Sequence, residues 1–212
     1  MRSLDSAPAA TTAIRYEAGD PGSGINLASQ DYLGLSSHPR VHAAAIESIA
    51  RFGVHSAGSG ALLGNTSISL ELEQCIAETL HAPHALLFPT GWAAGYGAVV
   101  ALVRPDDHVV MDELAHACLQ SGAQASTRNV VRVRHLETEA FRAAIQGIRA
   151  ADAKNGILVI TEGVFSMDAD SPDIRSLQAI CREYDATLLV DIAHDFGALG
   201  PGGTGQIGIQ GM

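Results

Sequence analysis

Five short apolar runs punctuate the chain after residue 84: ALLF at 85–88, HVVM at 108–111, VVRV at 130–133, ILVIT at 157–161 and TLLVD at 187–191. They are rich in β-branched residues and none alternates cleanly with polar ones. That pattern predicts strands buried on both faces, as in a parallel sheet. Between the runs, segments with apolar residues at helical spacing predict helices over 92–103, 114–125, 137–151 and 173–184; two more, over 39–51 and 67–81, precede the first run. Ser171-Pro172 reads as the start of the helix at 173–184, with serine as cap and proline at the first helical position. The alternation predicts an α/β fold: a mostly parallel, doubly wound sheet with helices on both faces.

Residues 1–24 are rich in Ala, Ser, Thr, Gly and Pro without clear periodicity and are expected to form an N-terminal arm; residues 25–212 are expected to form the main domain. MRSLDSAPAATTA has no apolar stretch after Arg2, and no window approaches the roughly 18 uninterrupted apolar residues of a membrane span. A cytoplasmic protein with no membrane partner is expected.

Composition sharpens this picture. Charged residues are 17% and apolar residues 47%, which points to a large core or an extensive partner surface, and so to an oligomer. A formal net charge of −10 repels phosphate backbones, so nucleic acid is excluded as a partner. Cys75, Cys118 and Cys181 fall in predicted helices, odd in number and without a CxxC pair, which argues against a disulfide framework or a zinc site.

In doubly wound sheets ligands bind beyond the C-terminal ends of the strands. The residues there are Pro89-Thr90-Gly91-Trp92, Asp112 to His116, Glu162 to Asp168 and Asp191 to His194. TGWAAG at 90–95 is a strand-to-helix turn that would suit one phosphate, or holds glycine for backbone geometry alone. Asp191, at the end of a buried strand, wants a cation: a pyridinium nitrogen, an arginine, or instead a helix terminus to cap. His194, His116 and Ser166 taken singly have ordinary structural readings. Together, a phosphate turn, an acid for a ring nitrogen and Ser and His donors for a ring oxygen are what pyridoxal phosphate needs from a protein.

These residues sit in segments that resemble the α-oxoamine synthases, a family of fold-type I pyridoxal-phosphate enzymes. The matching segments are NLASQDYLGLSSHP (26–39), SAGSGALLGNTSISLELE (56–73), LLFPTGWAAG (86–95), DELAHACL (112–119), TEGVFSMDADSPD (161–173) and LLVDIAHDFGALGPGGTG (188–205), in family order. The resemblance implies the fold-type I large domain, with Asp191 on the pyridine nitrogen, His194 and Ser166 on the ring oxygen, and His116 stacked on the ring face. It implies that Thr90, Gly91 and Trp92 hold the phosphate, that Glu162 supports the site, and that Gln30 and Tyr32 line the substrate side. The implied reaction is acyl transfer: decarboxylative condensation of a small α-amino acid with an acyl thioester, from CoA or a carrier protein, in a homodimer with pyridoxal 5'-phosphate as cofactor.

Several positions depart from the family. Gln30 stands for a usual Asn, Ser69 for a common His, Trp92 for a usual Phe, Ile192 for an acid, and Asp195-Phe196 for a smaller pair. The family's Schiff-base lysine follows one further strand, and a C-terminal domain then supplies a carboxylate-binding arginine. The sequence is expected to correspond to the front half, lacking both and with negligible turnover by itself. Its one lysine, Lys154, lies in ADAKNG, a segment that leads into a strand and so belongs to the wrong end of the sheet.

Other readings compete. A catalytically silent partner subunit has little reason to keep Asp191, His194, His116 and Ser166, and another fold-type I enzyme, an aminotransferase or lyase, shares the cofactor set. Gly200-x-Gly202-x-x-Gly205 spells a dinucleotide fingerprint without the preceding strand or following helix. Asp195-Phe196-Gly197 lacks the other kinase motifs, and a hydrolase triad of Ser166, Asp191 and His194 lacks the GxSxG elbow. The pairs His38/His42 and His81/His84 lack a third metal ligand, so no metal is expected.

Overall fold

The structure, a computed structural model, describes residues 2–4, 11–16, 22–55 and 58–212, with the backbone alone at 2–4 and 11–16. The chain divides into two compact units, 1–72 and 73–212.

In the first unit, three short strands, β1 (Arg2–Leu4), β2 (Thr11–Tyr16) and β3 (Gly22–Ile25), form an antiparallel sheet in the order β1-β2-β3. They occupy the segment expected as an arm, whose remaining residues lie outside the described ones, as do Ser56 and Ala57 of the 56–73 segment. Helix α1 (Pro39–Phe52) starts as its sequence suggests: His38 caps it through Nδ1, which accepts from Arg40 N–H at 3.2 Å, and Pro39 opens the first turn. His42 contacts Ser36 O through Nε2 at 2.8 Å, so both histidines serve local structure. Helix α2 (Ser67–Thr79) carries the division between the units.

The second unit holds α3 (Gly91–Leu102), β4 (His108–Asp112), α4 (Ala117–Ser126), β5 (Asn129–Val133), α5 (Thr138–Ala151), β6 (Ile157–Glu162), α6 (Ile174–Glu183), β7 (Thr187–Asp191) and α7 (Gly205–Ile209). Its four strands form a parallel sheet in the order β5-β4-β6-β7. The central β6 is buried at all six positions, as its unbroken apolar run requires.

Alternate strand residues feed two cores. Val109, Met111, Leu158 and Ile160 pack with Val99, Cys118 and Leu119 of α3 and α4. Val110, Val133, Ile157 and Val159 pack on the other face with Phe141 and Ile145 of α5 and Leu177 and Ile180 of α6. Helices therefore cover both faces, the fold-type I arrangement. The chain moves outward from β4 to β5, then returns past β4 to β6 and on to β7, so the direction of winding reverses between β4 and β6. The crevice of a doubly wound sheet opens at that switch point, beyond the strands' C-terminal ends.

Two expected elements differ. ALLF at 85–88 forms no strand: Leu86 is 73% exposed, and Leu87 N–H donates to Glu73 Oε1 at 2.9 Å instead of to a neighbouring strand. An apolar run becomes a strand only where its backbone groups find a partner, and the described sheet offers this one none. Helix α6 is capped not by Ser171 but by Asp173, whose Oδ1 accepts from Ser176 N–H at 2.9 Å. The carboxylate is the better acceptor for that orphan amide and complements the helix dipole. Among the described residues no helix is long and apolar enough to cross a membrane.

Candidate functional site

Helix α3 brings Trp92, in its first turn, against His116 in the loop after β4. Thr90, extended at φ −148°, caps it by accepting from Ala93 N–H at 3.0 Å, so the first-turn amides of Gly91 and Trp92 precede the capped one. A side chain at Gly91 would meet nothing within 4 Å, and Gly91 does not adopt a positive φ. Neither packing nor backbone geometry demands a glycine there, and the vacant space above the first turn is room for an anion. Gly95 is different: a Cβ there would lie 2.5 Å from Cys118 Sγ, so this glycine allows α3 to pack on α4.

His116 caps α4. Its Nδ1 accepts from Cys118 N–H at 3.3 Å and lies 2.9 Å from Cys118 Sγ, which leaves the ring exposed with its orientation fixed. The indole of Trp92 meets this ring edge-on, with centroids 6.2 Å apart and planes at 72°. The backbone N–H of His116 donates to Glu162 Oε1 at 2.6 Å, joining the loop that follows β4 to the end of β6 across the switch point.

Glu162 is buried, and burial pushes its carboxyl up to about 7; the charges of Asp191 and Asp112 add to this, while the His116 N–H opposes it. Glu162 and Asp191 are register partners on β6 and β7, so their side chains leave the same face of the sheet. Asp191 is half-buried. Its Oδ1 accepts from Ala193 N–H at 3.0 Å, and its carbonyl accepts from Gly163 N–H at 2.7 Å. Among the described residues no arginine or lysine pairs with Asp191, and no helix starts on it, so two of its three sequence readings lose support.

Ser166 is exposed on the loop after β6, and His194 is half-buried in the turn after β7. His116, Glu162, Ser166, Asp191 and His194 therefore end or follow strands of one parallel sheet, and the Thr90-Gly91-Trp92 turn, which follows no strand, is tied to them by the contact of Trp92 with His116. Gln30 and Tyr32 belong to the first unit, in a turn organised by Asp31, whose carboxylate accepts from Leu35 and Ser36 N–H at 2.8 and 3.0 Å. Lys154 lies before β6, at the opposite end of the strand from Glu162. The second-unit set can hold an anion at the start of α3 and a cationic ring nitrogen at Asp191, with hydroxyl and imidazole donors nearby.

The family profile described as aminotransferase class I and II matches residues 23–208. The chain belongs to the aminotransferase class I and II family. Among its relatives, the 8-amino-7-oxononanoate synthase of Pectobacterium atrosepticum is 40% identical over 182 residues, covering 86% of this chain and 46% of the relative. That of Delftia acidovorans is 42% identical over 188 residues, 89% and 45% of the two chains. A serine palmitoyltransferase from S. paucimobilis with a bound PLP–myriocin aldimine superposes with a TM-score of 0.90 at 29% identity, covering all of this chain and 51% of that one. An 8-amino-7-oxononanoate synthase structure from Francisella tularensis gives 0.70 at 26% identity, with 86% and 49% covered. The chain spans about half the length of the curated relatives it matches.

This aminotransferase-family chain also holds groups that its sequence did not mark out. Asp195 is fully buried: Oδ2 accepts from Gln206 N–H at 2.6 Å, Oδ1 has no partner, and burial together with the Asp191 charge raises its carboxyl above the ordinary range. Its substitution for a smaller residue was the only signal. Cys118 is buried against His116, and burial with the nearby Asp191 charge raises its thiol. His135 bridges Asp112 and Asp170, a contact between residues too distant in sequence to be read from spacing.

Proposed function

We propose that this chain is the cofactor-holding part of a pyridoxal-phosphate-dependent α-oxoamine synthase. The enzyme would join a small α-amino acid to an acyl thioester with loss of carbon dioxide, acting as a cytoplasmic homodimer. The observation that carries this is the placing of Asp191 beside Glu162 in register at the ends of β7 and β6, next to the switch point, on a sheet whose adjoining helix α3 starts with open space above Gly91. The donor set fits the cofactor: a capped helix start, a carboxylate without an arginine or lysine partner among the described residues, and hydroxyl and imidazole groups on adjoining loops.

When bound, pyridoxal phosphate supplies an electron sink for a carbanion at the amino acid's α-carbon. Everything else is the work of the chain's own residues. Thr90 shapes the first turn of α3, and the amides of Gly91 and Trp92 bind phosphate with the helix dipole behind them. Asp191 would keep a proton on the ring nitrogen. Ser166 and His194 would donate to the ring oxygen. His116, held by Glu162 through its backbone and by the α4 start through Nδ1, would support the ring and orient the amino acid. Gln30 and Tyr32 would meet the substrate. Exposed Leu86, Phe88 and Leu102, with the low charged fraction, support a partner surface.

The test is made on a full-length synthase that contains this segment together with a Schiff-base lysine: exchange of the α-proton of glycine, alanine and serine in D2O with pyridoxal phosphate present, followed by thiol release from acyl-CoA. The proposal expects exchange for at least one of them, greatly reduced in Asp191→Ala and in His116→Ala. No exchange with any of the three would sink it.

A further inference from the structure

His135, in the turn between β5 and α5, has a carboxylate on each ring nitrogen. Its Nδ1 lies 2.9 Å from Asp112 Oδ1, and its Nε2 lies 3.2 and 3.1 Å from the two oxygens of Asp170. A neutral imidazole has one N–H and one lone pair, so it can donate to only one of them. Asp112 cannot turn away: it is buried, and it also accepts from Leu114 and Leu136 N–H at 2.9 and 3.0 Å. The arrangement is complete only when both nitrogens carry protons.

Asp170 closes the loop that follows β6. Within that loop Phe165 N–H donates to Asp170 O at 3.0 Å and Ala169 N–H to Phe165 O at 2.9 Å, with Ala169 held at φ +57°. Phe165 is buried, and its ring meets His135 edge-on with centroids 4.5 Å apart. Ser166 is the next residue and is exposed to solvent. The other end of the loop is fixed by Gly163 N–H on Asp191 O.

We infer that His135 is a positioning residue: as an imidazolium clamped between Asp112 and Asp170, it fixes the 163–170 loop and thereby the place of Ser166. The link to Ser166 as a cofactor ligand rests on the function proposed above; the clamp itself does not. The charged groups around His135 are Asp112 from β4, Asp170 from the loop, Glu113, which accepts from His135 N–H at 3.2 Å, and Glu162 from β6, whose carboxyl the His135 charge lowers. On its own segment Arg134 and Glu137 pair with each other at 3.1 Å. The two facing carboxylates raise the His135 pKa against the opposing effect of its burial. The sign follows: while Asp112 and Asp170 are ionised, the clamp is closed below that raised value and opens as pH rises through it.

The experiment uses 15N-histidine-labelled chain, with His135→Gln assigning the resonance, and amide exchange at Phe165 and Ala169. Both His135 nitrogens should be protonated at pH 6, below the ordinary histidine value of 6.5, and protection of the two amides should fall as His135 titrates above that value. His135→Gln should speed their exchange by about tenfold or more, since it loses one charge-assisted bond and faces a carboxylate with a carbonyl. Adding Asp170→Asn gives that carbonyl a donor; protection should return and no longer follow the histidine's titration. A single protonated nitrogen at pH 6, or unchanged exchange in His135→Gln, would overturn the clamp. Pyridoxal phosphate binding, read from the emission of Trp92, separates the two claims. Failure of the wild-type chain to bind sinks the proposed function while the exchange data still decide the clamp. Lost protection with unchanged cofactor affinity overturns the link to Ser166.

Discussion

His116 and Glu162, 46 residues apart in the chain, are joined by a 2.6 Å hydrogen bond from a backbone amide to a buried carboxylate. The bond fixes the start of α4 relative to the end of β6, and it does so at an energetic cost. Glu162 has its carboxyl raised to about 7, so between the ordinary glutamate value of 4.5 and that point the folded state holds the proton more tightly than the unfolded one. Stability therefore falls as pH rises through this window. Glu162→Gln keeps an acceptor for His116 and should be more stable than wild type at pH 8 by up to about 2 kcal/mol, with little difference at pH 4. Urea unfolding at both values checks it; equal stability at pH 8 would show that Glu162 is not held against its charge.

Asp195 explains two glycines. A Cβ at Gly163 would lie 2.5 Å from Asp195 Oδ2 and 2.8 Å from Oδ1, and one at Gly205 would also strike this carboxylate. Gly163→Ala should cost about 1–3 kcal/mol. In an Asp195→Ala background the same change should cost much less, and an undiminished penalty in the denaturation midpoint would place the strain elsewhere.

Packing of α3 on α4 rests on a second close approach. Gly95→Ala drives a methyl into Cys118 Sγ and should destabilise by about 1–3 kcal/mol. Cys118→Ala removes the obstructing sulfur, so the double variant should recover most of that loss, with a coupling of about 1 kcal/mol or more in a double-mutant cycle.

Thr90 has one structural task, the cap on Ala93 N–H. Thr90→Ala should lower stability by about 1 kcal/mol and weaken phosphate binding at the first turn, while Thr90→Ser should restore both. Thermal unfolding with and without pyridoxal phosphate distinguishes the two effects.

Much of this fold was legible because the strands at 108–112, 157–162 and 187–191 are continuous apolar runs and ligand-binding residues follow strand ends as a rule. The run at 85–88 misled because pairing is a property of the neighbour and not of the run. The start of α4 moved from 114 to 117 because Asp112 Oδ1 takes Leu114 N–H and His116 then serves as cap. At 171–173 a serine cap lost to an aspartate. His135 could not be found by pattern at all, and Asp195 showed only as a departure from the family: their contacts join residues 23, 35 and 11 positions apart that meet only once the sheet exists.

The central claim is that the strand-end set around Asp191 holds pyridoxal phosphate. The chain's one tryptophan, Trp92, lies in the proposed phosphate turn, so its emission is a direct reporter. Titration of the chain with pyridoxal phosphate should quench Trp92 saturably, with affinity reduced about tenfold or more in Asp191→Asn, the loss of a charge-assisted bond to the ring nitrogen. No saturable quenching, or an Asp191→Asn chain that binds as wild type does, would contradict the account.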